Sequence, residues 1–170
     1  DRRQRQMCIR DSFYNAPGAF GYPATTWGAR ARYAPRGDLY VMAGMYNGDP
    51  EVGLASRHGL DFTFQGPALG LGEIGWTRNQ QPGATALPGN IKLGGFVLGG
   101  SVPAYITSTS SSGRHGFYVV ADQAVARLGA RSEARQVGVF GSLVAAPDQA
   151  VSPMPFFFST GVVANGPLAS

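Results

Sequence analysis

The two histidines are the residues of this sequence whose chemistry best suits a metal site. His58 and His115 stand in similar segments, RHGLDF and RHGFYV, far apart in the chain. Two imidazoles can contribute to a metal centre, but no carboxylates stand near them at the spacing that metal ligands show. We therefore expect both histidines to be polar residues at loop ends, and we predict no metal site.

The other residues that could do chemistry also lack the arrangement that catalysis requires. GPALGLG is not followed by Lys and Ser or Thr, as a phosphate-binding loop would be. The serines of STSSSG indicate a flexible loop and not a nucleophile elbow. Glu73 and Asp122 lie in strand-like segments, and an acid–base pair would need them close together. We predict no catalytic residue and no cofactor, and we expect these two carboxylates to make one strand face polar.

The composition restricts the class of protein that must position these residues. Only 14% of the residues are charged, against about 25% in an average soluble domain, while 44% are hydrophobic. Glycine (25 residues) and proline (12) are abundant. No apolar run reaches the ~18 residues of a membrane-spanning helix. A soluble antiparallel sandwich and an outer-membrane barrel both remain compatible with these numbers.

The first residues, DRRQRQMCIRDS, differ in composition from all that follow. They contain four arginines and the only cysteine, Cys8, and they resemble a translated sequencing adapter. We therefore predict that residues 1–12 are non-native and that residues 13–170 form part of one domain. Without residues 1–11 the net charge falls from +4 to +2, too little to indicate a nucleic-acid partner. The cysteine-free remainder excludes a disulfide scaffold.

Apolar and polar residues alternate in short segments that are separated by Gly, Pro, Asn and Ser. This period of two predicts an antiparallel all-β fold. One segment, Ala121 to Gln136, is rich in Ala, Arg and Gln and could instead be helical. The predicted strands are Thr26 to Tyr33, Leu39 to Tyr46, Gly59 to Gln65, Leu69 to Thr77, Ile91 to Leu98, Gly116 to Val125, Val137 to Ala145 and Phe156 to Ala164.

Alternation alone favours a sandwich, but small residues on the apolar faces, glycines spread through the strands and the scarcity of charges favour a membrane barrel. In the first strand Arg30 and Arg32 point to one side, because alternate side chains share a face. An arginine at the bilayer midplane costs ~2–4 kcal/mol, so in a membrane both must face the pore. We predict that the opposite faces contact lipid: Trp27, Ala29, Ala31, Leu39, Val41, Ala43, Leu60, Phe62 and Phe64.

Several consecutive blocks resemble the carbohydrate-selective porin (OprB) family. They are ATTWGARARYAPRGDLYVMAGMYNGDPEVG, RHGLDFTFQGPALGLGEIGW, LPGNIKLGGF, RHGFYVVADQAVAR and VGVFGSLVAAPDQAVSPMPFFFSTGVVANGPL. They follow one another in the order and at the spacing of that family, from about residue 20 to the end. The resemblance implies an outer-membrane barrel that lets sugars diffuse inward. Such barrels are usually described with sixteen strands, so the chain would supply about eight of them.

The sequence also departs from the family pattern. Ser142 stands where the family usually has a charged or polar residue, and Ser159 stands where it usually has Asp. The family also continues past GPLAS into further strands and closes on a terminal aromatic residue. We therefore expect a truncated piece of a larger barrel, with an open sheet edge.

The combined prediction is a porin of the bacterial outer membrane, without enzymatic activity, that admits sugars and other small solutes by passive diffusion. Its partners would be small sugars, the lipid bilayer and, when full length, further copies of itself. The alternatives are a secreted carbohydrate-binding β-sandwich and an outer-membrane barrel enzyme. The predicted pore-lining and substrate-contacting residues are Arg30, Arg32, Tyr40, Tyr46, Asp61, Glu73, Lys92 and Asp122.

Overall fold

Seven antiparallel strands form the whole of the regular structure that is described. A computed structural model describes residues 27–48, 66–81, 84–104, 110–128, 136–152 and 154–165. Within these ranges, no helix is long and apolar enough to cross a membrane. The strands are β1 (Gly28–Tyr33), β2 (Leu39–Asn47), β3 (Ala68–Arg78), β4 (Gly89–Pro103), β5 (Ser110–Arg127), β6 (Gln136–Ala145) and β7 (Phe156–Asn165).

Seven of the eight predicted strands coincide with these elements, and the remaining one, Gly59 to Gln65, lies outside the described residues. The helical alternative for Ala121 to Gln136 is wrong for its first half, because β5 continues as a strand to Arg127. Ladder hydrogen bonds to both neighbouring strands outweigh the high helix propensity of the alanines there, because propensity differences stay below ~1 kcal/mol per residue.

The strands follow chain order in a single sheet, β1-β2-β3-β4-β5-β6-β7, and every neighbouring pair is antiparallel. A sandwich would need two packed sheets, and the described strands form only this one. Within the described part of the chain, β1 and β7 are the edge strands of an open sheet.

Two irregularities interrupt the ladders on either side of β5. The pairing of β4 with β5 shifts between Leu98 and Ser101, where Gly100 and Gly113 have φ values of 81° and 85°. Residues other than glycine rarely adopt such positive φ angles, so glycine is needed at both positions. The pairing of β5 with β6 shifts at Val125, which lies between the paired residues Ala124 and Ala126.

One end of β5 also anchors the connection between β3 and β4. The Arg127 guanidinium donates hydrogen bonds to the carbonyl oxygens of Ala84 (2.8 Å), Thr85 (2.6 Å) and Ala86 (3.0 Å). Gln123 donates to the carbonyl of Pro88 at 3.2 Å. The three bonds from Arg127 satisfy carbonyls outside the ladders, whereas the Pro88 carbonyl also accepts from the Ala124 amide at 2.9 Å. Together these bonds hold the connection against the end of β5.

The register divides the described sheet into an apolar face and a polar face. The apolar face carries Ala29, Ala31, Tyr33, Val41, Ala43, Met45, Gly70, Gly72, Ile74, Trp76, Ile91, Leu93, Gly95, Val97, Phe117, Val119, Ala121, Val139, Gly141, Leu143, Phe156, Phe158, Thr160 and Val162. Its large side chains are exposed, as Ile74, Leu93 and Phe158 illustrate. Tyr40, Phe96, Tyr118 and Val144 lie on the polar face and are buried. The large apolar surface on this sheet is therefore on the outside.

Candidate functional site

The polar face collects the candidate residues that lie in the described part of the chain. Arg30 and Arg32 pair across the β1–β2 ladder with Gly44 and Met42, and Met42 pairs in turn with Glu73. The register therefore puts these side chains on one face. It adds Tyr40, Tyr46, Lys92 and Asp122 to the same face. Asp61 lies outside the described residues.

Glu73 is the centre of the best-defined contact on this face. Its Oε1 accepts a hydrogen bond from the Tyr40 hydroxyl at 2.6 Å, and its Oε2 accepts one from the Tyr118 hydroxyl at 2.5 Å. The three residues come from β2, β3 and β5. An ionised carboxylate has only acceptor oxygens, and phenols are suitable donors. The two tyrosines thus bind both oxygens of one carboxylate, and we call these three residues the Tyr–Glu–Tyr bridge.

Glycines make room for the rings of the bridge. Tyr40 is the direct cross-strand partner of Gly75, and Tyr118 is the direct partner of Gly94. A Cβ placed on either glycine would lie less than 3.0 Å from three atoms of the facing tyrosine side chain. Each ring therefore occupies the space that a side chain on the next strand would fill, an arrangement in which aromatic residues cover glycines. This allows both hydroxyls to reach Glu73.

The cations of the polar face differ in their surroundings. The Arg32 guanidinium carbon lies 4.3 Å from the centre of the Tyr40 ring, a cation–π distance. Arg30 and Lys92 form no ion pair or side-chain hydrogen bond with another described residue, and Arg30 is exposed. Arg30 and Lys92 are thus available to a molecule next to this face, while Arg32 is stacked on the bridge.

Two further polar contacts lie on the same face. Asn90 donates to the Asp122 carboxylate at 3.1 Å, and the hydroxyls of Ser142 and Ser159 are 2.7 Å apart. Asp122 is four residues along β5 from the bridge and is not in contact with Glu73. At ~3.3 Å per residue this separation is too great for an acid–base pair.

Tyr118 is a residue that the sequence analysis did not select. The sequence indicates only that Tyr118 shares the face of Asp122, because the two residues are four positions apart in one strand. The strand pattern could not show that Tyr118 and Tyr40 meet the same carboxylate, because they are 78 positions apart in the chain. That contact depends on the register of three ladders.

The histidines do not form a described site. His115 lies five residues inside β5, opposite Val97 and in the phase of the apolar face, so the prediction that it lies at a loop end is wrong. His58 lies outside the described residues. Among the residues that the structure describes, no group of three or more His, Cys, Asp or Glu side chains could hold a metal ion.

One exposed apolar face and one charged face on a single antiparallel sheet define the wall of a transmembrane β-barrel. In such a wall the outer face contacts lipid, and the inner face contacts water or fills the interior. Interior side chains converge and cover one another. This explains why Tyr40 and Tyr118 on the polar face are only 7% exposed.

Comparison with known proteins specifies which barrel this is. The family model described as "Carbohydrate-selective porin, OprB family" matches residues 6–170. The chain therefore belongs to the carbohydrate-selective porin, OprB family, a family of channels and not of enzymes. The resemblance found in the sequence is thus confirmed. The match begins within residues 1–12, whose non-native origin stays a prediction.

A solved structure has the same fold. The chain is similar to OprB of Pseudomonas putida at high pH, with a TM-score of 0.73 and 20% sequence identity. The alignment covers 92% of this chain and 39% of that chain. No curated protein matches the sequence. The all-β barrel prediction is confirmed, and the chain spans well under half the length of the structure that it resembles.

Proposed function

We propose that the chain forms part of the wall of a pore in the bacterial outer membrane, through which sugars and other small solutes diffuse passively. The observation that carries this proposal is the separation of the two faces. Among the described residues, the charges of the strand interiors lie on the polar face: Arg30, Arg32, Glu73, Lys92, Arg114 and Asp122. The apolar face suits the hydrocarbon of a bilayer.

The polar face has the chemistry that sugar passage needs. A diffusing sugar exchanges hydrogen bonds between water and the wall, so useful wall groups are polar and not already paired. Arg30 and Lys92 meet this requirement. Tyr46 is partly exposed on the same face and offers a ring and a hydroxyl. We therefore assign solute contact first to Arg30, Lys92 and Tyr46.

The remaining candidates have different expected roles. Tyr40 is buried and bound to Glu73, so we expect both residues to support the wall more than to contact sugar. Asp122 keeps one carboxylate oxygen free of Asn90 and can accept from a sugar hydroxyl. The same role is proposed for Asp61 by its alternation with Leu60 and Phe62 in the sequence. We also propose that the full-length protein forms homo-oligomers.

Swelling of liposomes tests the function. Liposomes that contain the full-length protein should swell in isotonic sugars at rates that fall with sugar size, and protein-free liposomes should not.

Cysteine labelling tests which face of the sheet contacts lipid and which contacts water. In a Cys8→Ser background, Met42→Cys should react with a water-soluble maleimide and Val41→Cys with a lipid-soluble one. Equal swelling with and without protein would refute the pore, and reversed labelling would refute the assignment of faces.

A further inference from the structure

We propose that Glu73 is a positioning residue, which acts through Tyr40 to fix the place of Arg32 on the pore wall. The inference rests on the proposed function, because it assumes that the polar face lines a solute pathway. It gives Glu73 a role other than that of a pore-lining charge.

The surroundings of Glu73 are the first argument. Both of its oxygens accept short hydrogen bonds from phenol hydroxyls, and the side chain is partly buried. A sugar hydroxyl that bound to this carboxylate would have to compete with two donors already held in place. Such competition is unfavourable, because the buried tyrosine hydroxyls would then lose their acceptor.

The position of Tyr40 is the second argument. Its ring is confined by Gly75 on the neighbouring strand, by the bond from its hydroxyl to Glu73, and by the guanidinium of Arg32. The ring is 7% exposed. Loss of the bond to Glu73 would remove the contact that holds the hydroxyl end, and the ring would be free to turn away from Gly75.

Arg32 is the residue that this arrangement controls. It is exposed on β1, which pairs only with β2 among the described strands, and its side chain is long and flexible. The stack on Tyr40 is the described contact that limits its position. With its carbon held over the ring, the guanidinium still has N–H donors that a solute hydroxyl can accept.

The other arm of the bridge provides an internal comparison. Tyr118 bonds to the second oxygen of Glu73 and packs with Val120 and Val144, on the side away from β1. Loss of the Tyr118 hydroxyl should therefore disturb Arg32 less than loss of the Tyr40 hydroxyl. A general weakening of the wall would make no such distinction between the two tyrosines.

The test measures sugar affinity with the full-length protein in planar bilayers. The affinity is read from the extent to which added sugar blocks the ion current. Arg32→Gln is the reference variant. We expect Tyr40→Phe to weaken sugar affinity by about two- to fivefold, in the range that an exposed cation–π contact supplies, without a change of charge. Glu73→Gln should weaken affinity similarly, and Tyr118→Phe should weaken it less. Tyr33→Phe is the matched control and should behave as the parent, because Tyr33 lies on the apolar face and no described residue bonds to its hydroxyl.

The double variant Arg32→Gln/Tyr40→Phe distinguishes positioning from a separate structural effect. If Tyr40 acts through Arg32, the double variant should lose no more affinity than Arg32→Gln alone. Independent, multiplying losses would overturn the inference. So would a loss for Glu73→Gln with none for Tyr40→Phe, since Glu73 would then contact solute directly. Should Glu73→Gln fail to fold, Tyr40→Phe and the double variant still decide the question.

Failure of the proposed function gives a different result. In that case the parent protein itself would show no sugar-dependent block, whatever the variants do. A parent that is blocked by sugar, together with an Arg32→Gln variant of unchanged affinity, would instead refute the inference alone.

Discussion

The Tyr40 ring lies over Gly75, its direct partner on the neighbouring strand, in the space where any side chain at position 75 would begin. The same relationship recurs along the polar face of the sheet. In each case an aromatic ring covers a glycine that stands directly opposite it. The pairs are Tyr46 with Gly28, Tyr40 with Gly75, Phe96 with Gly116, Tyr118 with Gly94 and Phe140 with Gly161.

The first prediction concerns this relationship. Gly75→Ala should destabilise the protein by ~1–3 kcal/mol, because the new methyl group would displace the Tyr40 ring and break its bond to Glu73. The control is Gly72→Ala on the same strand, where a Cβ would meet nothing within 4 Å. Urea unfolding in detergent micelles or lipid vesicles, followed by tryptophan fluorescence, measures both. Equal losses for the two variants would contradict the packing that we describe.

The second prediction compares neighbouring positions on the two faces of β2. Val41→Arg should destabilise the folded protein in bilayers by up to ~2–4 kcal/mol, because Val41 is on the face that contacts lipid. Met42→Arg should cost much less, since Met42 is on the polar face beside Glu73. Folding yield in vesicles, read from mobility on unheated gels, compares them. A larger loss for Met42→Arg would mean that the faces are reversed.

The third prediction uses Trp76, which lies on the apolar face near the end of β3. Its indole nitrogen donates to the Asp38 carboxylate at 3.1 Å, and its ring is exposed. The Arg78 guanidinium carbon also lies 5.1 Å from the centre of this ring. An exposed indole with polar partners is typical of a tryptophan at a membrane interface. In a Trp27→Phe background, brominated lipids should quench the fluorescence of Trp76 more than aqueous acrylamide does. Quenching by acrylamide alone would place the residue away from lipid.

The fourth prediction concerns the connection between β3 and β4. Arg127→Ala removes three hydrogen bonds to the carbonyls of residues 84–86, so this segment should open more often. Amide hydrogen exchange should therefore accelerate in that connection while β3 and β4 stay protected. Arg36→Ala, at an exposed arginine of the β1–β2 turn, serves as the control. Unchanged exchange in Arg127→Ala would show that the three bonds do not hold the connection.

The fifth prediction concerns Arg30 and Arg32 together. The double variant Arg30→Gln/Arg32→Gln should still fold, since neither side chain forms an ion pair with another described residue. It should change sugar flux and reduce the preference for anions, because two positive charges leave the polar face. Reversal potentials in a salt gradient and liposome swelling measure the two effects. Unchanged values for an inserted protein would leave both arginines a purely structural role.

The sequence by itself determined which residues of a strand share a face. Alternation placed Arg30 with Arg32, and Tyr40 with Tyr46, because side chains of successive residues in any strand point to opposite sides. This local rule also separated Val41 and Ala43 from the charges. The family could be identified for a similar reason, since whole blocks of residues keep their order and spacing.

Only the tertiary structure decided which strands meet and at which residues. The Tyr–Glu–Tyr bridge joins Tyr40, Glu73 and Tyr118 through three ladders, and a shift of one residue in any of them would break it. Register depends on the connections and on bulges such as the one near Gly100, which a period of two does not reveal. Strand pairing also decided the secondary structure of Ala121 to Arg127, because ladder hydrogen bonds on both sides of β5 outweigh a local preference for helix.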